Sequence, residues 1–301
     1  MDREEIKQNI GWLKSATRIE PLTIGYSSYP KFYVINGQRE YVLQLMDGTR
    51  FTWQRELAEN VQTMSADGLP VVPFVEVGRL STHSAYSIRP YFRGNDAKTE
   101  LATADEATAY KLGIEAGQVL AALHGYAAPA SVADWAERCQ AKHQRYVTAY
   151  RTSGVEFEQA EQLIAWIEQQ IPRIADRPNR FQHDDFHLGN LIVRDGSLVG
   201  VIDFDQADYG DPWHDFVKLG LFTVEQSIPF ARGQLKGYFD GPVPEAFWDV
   251  YSIYMAMALF SALVWTIRNH PEEVTEMTGR LTRILAAHDN FSRRIPVWYT
   301  G

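Results

Sequence analysis

Gln182-His183-Asp184-Asp185-Phe186-His187-Leu188-Gly189-Asn190-Leu191-Ile192-Val193-Arg194-Asp195-Gly196-Ser197-Leu198-Val199-Gly200-Val201-Ile202-Asp203-Phe204-Asp205 is the stretch on which the reading of this chain turns. Asp195-Gly196 lies between two apolar runs, the signature of a two-residue type I′ hairpin turn. With that loop Arg194 faces Ser197, Val193 faces Leu198 and Asn190 faces Val201. Opposed residues point to one side of a sheet, and the two-residue period puts Asp203 on the side of Val201. Asn190 and Asp203 are therefore expected on one face at one end of the hairpin, offset by about 7 Å and within reach of one cation.

An amide oxygen and a carboxylate make a hard, oxygen-only donor set. Mg²⁺ takes few protein ligands and completes its shell with water and phosphate oxygens, so the pair suits it. Asp185 precedes Asn190 by five residues, in the segment feeding the hairpin. It is a further carboxylate placed to meet a substrate hydroxyl beside the metal. Phosphoryl transfer needs these parts: a cation at the phosphates and an aspartate that orients the attacking hydroxyl and takes its proton.

The same residues resemble the aminoglycoside phosphotransferase and choline-kinase-like small-molecule kinases, whose pattern is His-x-Asp-x-x-x-x-Asn, a β hairpin, then Ile-Asp-Phe. Here these are His183, Asp185, Asn190 and Ile202-Asp203-Phe204, with thirteen residues from Asn190 to Asp203. Gly210-Asp211-Pro212-Trp213-His214-Asp215-Phe216 and Gly117-x-x-Leu120-Ala121-x-Leu123-His124 are also similar to the family, and the likeness runs through roughly 18–295 in family order. The resemblance implies an α+β, bilobal, protein-kinase-like fold. A β-rich nucleotide-binding lobe would cover 1–89, and a mostly helical lobe with the catalytic loop, metal site and acceptor pocket would cover 90–301. It implies Asp185 as catalytic base, Asn190 and Asp203 as Mg²⁺ ligands, and ATP or GTP as phosphate donor. His183 and Asp215 would brace the catalytic loop.

The nucleotide lobe departs from the family at one position. Gly25-Tyr26-Ser27-Ser28 looks like the phosphate-covering loop, with Ser27 and Ser28 small enough for backbone N–H groups to approach anionic oxygens. Where related kinases carry a lysine or arginine on the third strand, Tyr41-Val42-Leu43-Gln44-Leu45 has Gln44, which donates hydrogen bonds but carries no charge. Lys31, at the exit of the loop, is the candidate for the missing charge. Glu56 is the first choice for the acidic helix partner, with Glu59 second. The segment Ile88–Phe92, with Arg89 and Tyr91, is expected to meet the base through its backbone.

Residues 184–215 hold eight acids and one base, Arg194. Asp205 and Asp208, beyond the metal strand, are candidates to line an acceptor pocket. That acidity suits a small cationic hydroxyl compound such as an aminoglycoside. Equally, these are aspartates that favour turns.

The chain of 301 residues is 45% hydrophobic and 22% charged, which excludes disorder and suits two lobes. Its net charge of −9 argues against nonspecific nucleic-acid binding. The single cysteine, Cys139, cannot form an internal disulfide, so a cytoplasmic location is expected. Met1–Asn9 has no apolar leader core, and the uncharged run Val250–Ile267 reads as a buried helix, so no membrane partner is expected. A monomer or weak dimer is the expected state. Two other readings remain. One is a nucleotide-binding pseudokinase, motivated by Gln44. The other is a metal-dependent hydrolase using His183, Asp184 and His187, disfavoured because Gly189-Asn190 marks a loop rather than a helix.

Overall fold

The computed structural model describes residues 3–23 and 29–300. The chain is an α+β protein of two compact units: one runs to Asn95 and takes in Ile192–Arg194 and Val199–Ile202, and the other holds the remainder.

The first unit is built on an antiparallel sheet of β1 (Ala16–Pro21), β2 (Lys31–Asn36), β3 (Arg39–Asp47), β4 (Glu76–Arg79) and β5 (Ser84–Pro90), in the order β1-β2-β3-β5-β4. Strand alternation divides its faces. On one, Val34, Tyr41, Leu43 and Ile88 bury against Ile6, Ile10 and Leu13 from the N-terminal helix Arg3–Asn9 and the turn after it. The other face carries a polar row, because Gln44 is directly opposite both Lys31 on β2 and Ser87 on β5. Helix Phe51–Ala66 buries Gln54, Leu57, Val61 and Met64, an inward stripe at helical spacing.

The β2–β3 hairpin loop is Gly37-Gln38, since Asn36 is already paired with Arg39. The Asn36 side chain is spent elsewhere: it accepts from Ser15 Oγ at 2.9 Å and donates to the Trp12 carbonyl at 3.0 Å.

The second unit is mostly helical. Asp105 caps helix Glu106–Leu123 by accepting the Thr108 N–H. This helix packs against Ile228–Phe239 through glycines at four-residue spacing on both partners. A Cβ on Gly113 would lie 2.2 Å from the Phe230 carbonyl oxygen, and one on Gly117 would lie 2.1 Å from that of Gln234. Gly233 and Gly237 reciprocate against Tyr110 and Ile114. The backbones therefore touch where any side chain would hold them apart. Gly117→Ala gains about 1 kcal/mol of helix propensity. Prying the helices apart costs more, so a net loss of about 2 kcal/mol is expected in a denaturant titration. A stability change below about 0.5 kcal/mol would show slack between the helices that the close approach denies.

Helix Glu245–Asn269 is long and apolar enough to span a membrane by length and composition, but 78% of its most apolar window is buried among its neighbours. It forms the core of this unit, with Tyr251, Tyr254 and Phe260 fully enclosed. The final long helix ends at Ala287, earlier than the Pro271–Arg293 pattern suggests, because Asp289, Asn290 and Phe291 all take positive φ. Cys139 is buried beside Met257, and burial pushes its thiol up to about 12, which makes it an inert packing residue.

Candidate active site

Strand Arg180–Gln182 pairs antiparallel with Asp208–Gly210 and delivers the chain into the 183–187 segment. A short turn, Leu188–Asn190, follows, and then the hairpin Leu191–Arg194 and Ser197–Val201. Asp195 (φ 53°) and Gly196 (φ 73°) are both left-handed, the backbone that a type I′ turn needs. Asn190 closes the short turn and Asp203 lies past the end of the second strand, itself left-handed at φ 64°. Neither residue is on a strand. The two-residue period therefore does not reach them, and the turn and the left-handed residue set their directions instead.

Asp215 organises the loop. Fully buried, it accepts the backbone N–H of His183 (2.9 Å) and of Asp184 (2.6 Å), and His124 Nε2 lies 3.0 Å away. His183 is buried too, and its Nδ1 accepts the Asp185 N–H at 3.3 Å. Asp184 takes φ 54°, which a β-carbon tolerates poorly. The Asp215 contacts hold it there. Asp211, also buried, accepts both arms of the Arg177 guanidinium (2.6 and 2.8 Å) and the Tyr254 hydroxyl (2.7 Å).

The Asp185 carboxylate is held from both sides. Oδ1 is 2.8 Å from Lys218 Nζ. Oδ2 accepts from Asn190 Nδ2 at 3.1 Å, and the same amide donates to the Asp185 carbonyl at 2.9 Å. His187 takes the Gly189 N–H on Nδ1 (3.1 Å), which assigns its proton to Nε2, 3.5 Å from Asp185 Oδ2. Burial pushes the Asp185 carboxyl upward, but the Lys218 charge and His187 outweigh it and leave it well below the usual carboxylate range. With its NH₂ turned to Asp185, Asn190 presents Oδ1 as the remaining acceptor. That oxygen and the Asp203 carboxylate are the hard donors Mg²⁺ takes.

The acids of this region are matched in space by bases remote in sequence. Asp184 lies 3.6 Å from Lys142 and 3.1 Å from His214. Burial raises its carboxyl and Lys142 overrides that, so it too stays far below the ordinary range. Asp208, half-exposed, pairs with Arg138 at 2.9 Å. Arg138 and Lys142 are four apart on helix Trp135–Arg151 and so project from one face. Asp205 is half-buried at the turn after Asp203. The charge expected from the run of acids is largely cancelled by pairs that only the fold brings together.

In the first unit, Gln44 is buried and accepts a hydrogen bond from Arg89 Nη2 at 2.5 Å, while Arg89 lies over the Phe74 ring. Ser87, opposite Gln44, is fully buried, and its hydroxyl has no partner among the described residues. Tyr91 packs edge-on against Tyr33, and its N–H is taken by the Glu40 carbonyl (2.9 Å). The Ile88 carbonyl accepts from Val75 (2.8 Å), so part of the 88–92 backbone is already committed. Glu56 is exposed on the outer face of its helix, as is Glu59, which pairs with Arg55. The inward residue is Gln54, two positions before Glu56 and about 200° around the helix. Ser27 and Ser28 lie outside the described residues.

The second unit also contains a cavity of about 360 Å³ lined by residues that include Gly220, Glu225, Tyr251, Arg280, Arg283, His288 and Trp298. Phe222 links it to the loop: its ring is 5.8 Å from that of His187, with the Arg280 guanidinium 5.0 Å away. Four basic partners of these acids, Lys142, His214, Lys218 and Arg138, are not evident from the sequence. Their only local signal was the basic spacing on one helix and a lysine three residues after Asp215. Among the described residues, the one group of three His, Cys, Asp or Glu close enough for a shared metal is His270, Glu272 and Glu273, not the 183–187 loop.

The profile of the phosphotransferase enzyme family matches residues 18–248. Solved structures align over nearly the whole chain. The gentamicin–APH(2")-IIa complex superposes with a TM-score of 0.69 at 18% identity, covering 94% of this chain and 96% of that one. A ternary complex of the aminoglycoside phosphotransferase APH(4)-Ia with ADP and hygromycin B gives 0.67 at 18% identity, covering 94% and 97%. At such identities the likeness establishes a shared fold. No curated protein matches the sequence. The chain belongs to the phosphotransferase enzyme family.

Proposed function

We propose that this chain is an ATP-dependent, Mg²⁺-requiring O-phosphotransferase acting on a hydroxyl of a small molecule. The observation that carries the reading is the Asp185–Asn190 unit. It is an ionised carboxylate locked in place by the NH₂ of an amide whose oxygen is left for a cation. Asp185 would accept the hydrogen bond of the acceptor hydroxyl and aim its oxygen at the terminal phosphorus of the donor. As the new O–P bond forms, the bond from phosphorus to the bridging oxygen breaks, ADP departs, and the hydroxyl proton passes to Asp185. Asn190 Oδ1 and Asp203 would hold Mg²⁺, which supplies charge neutralisation at the phosphates when bound. Arg89 and Lys31 flank Gln44 on the polar sheet face, and that row is the candidate surface for the donor.

Gentamicin and hygromycin B accompany the solved relatives, so aminoglycosides are the first acceptors to test. A second reading of the acceptor rests on charge. Asp184, Asp185 and Asp208 each have a basic partner, and the cavity carries Arg280 and Arg283 against Glu225. Neutral or acidic hydroxyl compounds therefore belong in the same screen as polycations. The test is ADP release with and without Mg²⁺ across aminoglycosides, macrolides, choline, sugars and hydroxy acids. Release that needs both metal and one acceptor class is the expected result. Nucleotide binding with no transfer to any acceptor or to water would favour a pseudokinase, and release indifferent to EDTA would remove the metal from the proposal.

A further inference from the structure

We propose that Lys218 is a catalytic residue whose ammonium meets the transferring phosphoryl group. This rests on the phosphotransfer reading above.

The geometry begins at Asp185. Its two carboxylate oxygens have different neighbours, with Lys218 Nζ at 2.8 Å from Oδ1 and Asn190 Nδ2 at 3.1 Å from Oδ2. An acceptor hydroxyl bonded to this carboxylate would sit at about 2.7 Å from it. The phosphorus it attacks would lie about 3–3.5 Å further on. An ammonium already touching the same carboxylate, on a stem of four methylenes, reaches that phosphoryl group by small torsional changes. Both side chains are about a quarter exposed (26% each), shielded enough for the charge to act strongly and open enough for a ligand to arrive.

The backbone around Lys218 is specified rather than incidental. Lys218 is the residue leading into a π-helical turn, Leu219–Thr223, a widened form that is uncommon and found most often at functional sites. A Cβ on Gly220 in that turn would press on the side-chain ends of Tyr251 and Met255, 2.3 Å from the hydroxyl and 2.7 Å from the sulfur. Phe222, one turn on, places its ring 5.7 Å from Lys218 Nζ and confines the stem.

The chemistry supplies the need. Phosphoryl transfer gathers charge on the phosphoryl oxygens, and fixed cations there do most of the catalytic work. Lys218 is a cation already in contact with the carboxylate that would receive the acceptor hydroxyl.

A plain structural partner of Asp185 would also lose activity on mutation, so the test separates the two roles. Lys218→Met is expected to lower kcat about 100-fold, the usual loss for one electrostatic donor, with acceptor KM unchanged. Lys218→Arg should recover at least a tenth of wild-type kcat. The deciding measurement is single-turnover transfer by Asp185→Asn and by the double variant D185N/K218M, with melting curves confirming folding. If Lys218 only positions Asp185, removing it from the Asp185→Asn background changes nothing. If it acts on the phosphoryl group, the double variant falls a further tenfold or so. Equal rates in those two proteins, or a Lys218→Met kcat within threefold of wild type, overturn the inference. Absence of transfer by the wild-type enzyme would instead remove the phosphotransfer reading on which it stands.

Discussion

Asp185→Asn is expected to reduce turnover by about 10³-fold, within the range for loss of a positioned base, at a stability cost of about 1 kcal/mol, since its new NH₂ group turns against the Asn190 amide. The amide keeps the shape of the carboxylate. Its oxygen can still face Lys218, which approaches at 2.8 Å in the native protein. What it loses is the ability to accept a proton and the negative charge that aligns the attacking hydroxyl. Binding of donor should persist, because the substitution leaves Gln44, Lys31 and Arg89, the candidate donor row, untouched. Coupled ADP release gives the rate, and a thermal shift with ATP and Mg²⁺ gives the binding. Turnover within tenfold of wild type would take Asp185 out of the reaction.

Three features of the fold were legible in the sequence because they depend on local chemistry. A type I′ turn demands positive φ at two successive residues, and Asp195-Gly196 is among the few pairs that comply. The helix over Glu106–Leu123 announces itself through its Asp105 cap, and the uncharged run after Asp249 reads as a core helix and is one. Legibility fails where direction depends on something outside the segment. Glu56 is the obvious acid near the middle of its helix, yet the inward stripe of Leu57, Val61 and Met64 points Gln54 inward and Glu56 out. Strand alternation does not reach Asn190 or Asp203, because each lies just beyond a strand end.

The acidic run is the clearest case of a property that only the fold decides. In sequence it has one base for eight acids. In space, Lys142 and Arg138 arrive from a helix some forty residues upstream, Arg177 from just before the strand, and Lys218 from just after the Asp215 turn. Each pair is worth little if exposed. Asp211 and Asp215 are different: their side chains are wholly buried. There a missing partner leaves an uncompensated polar group in a medium that cannot solvate it.

Asp215→Ala therefore carries the largest expected loss of stability. The substitution strands the His183 and Asp184 N–H groups, which donate at 2.9 and 2.6 Å. It also strands the His124 ring, whose other nitrogen is held by Tyr238 at 2.9 Å. Breaking a buried polar set of this kind costs about 3–5 kcal/mol. Asp215→Asn should cost less, about 1–3 kcal/mol, because one oxygen survives while an NH₂ group is turned against a donor. The two variants should also part from Asp185→Asn in kind. Asp184 sits at φ 54° only while both of its flanking contacts hold, so relaxing that residue swings the Asp185 carboxylate off its line. Turnover and stability should fall together in the Asp215 series and separately in the Asp185 series. Guanidinium unfolding measured beside ADP release resolves them. A loss below about 1 kcal/mol for Asp215→Ala would mean that water or a shifted backbone replaces the carboxylate, and that the loop holds its shape by other means.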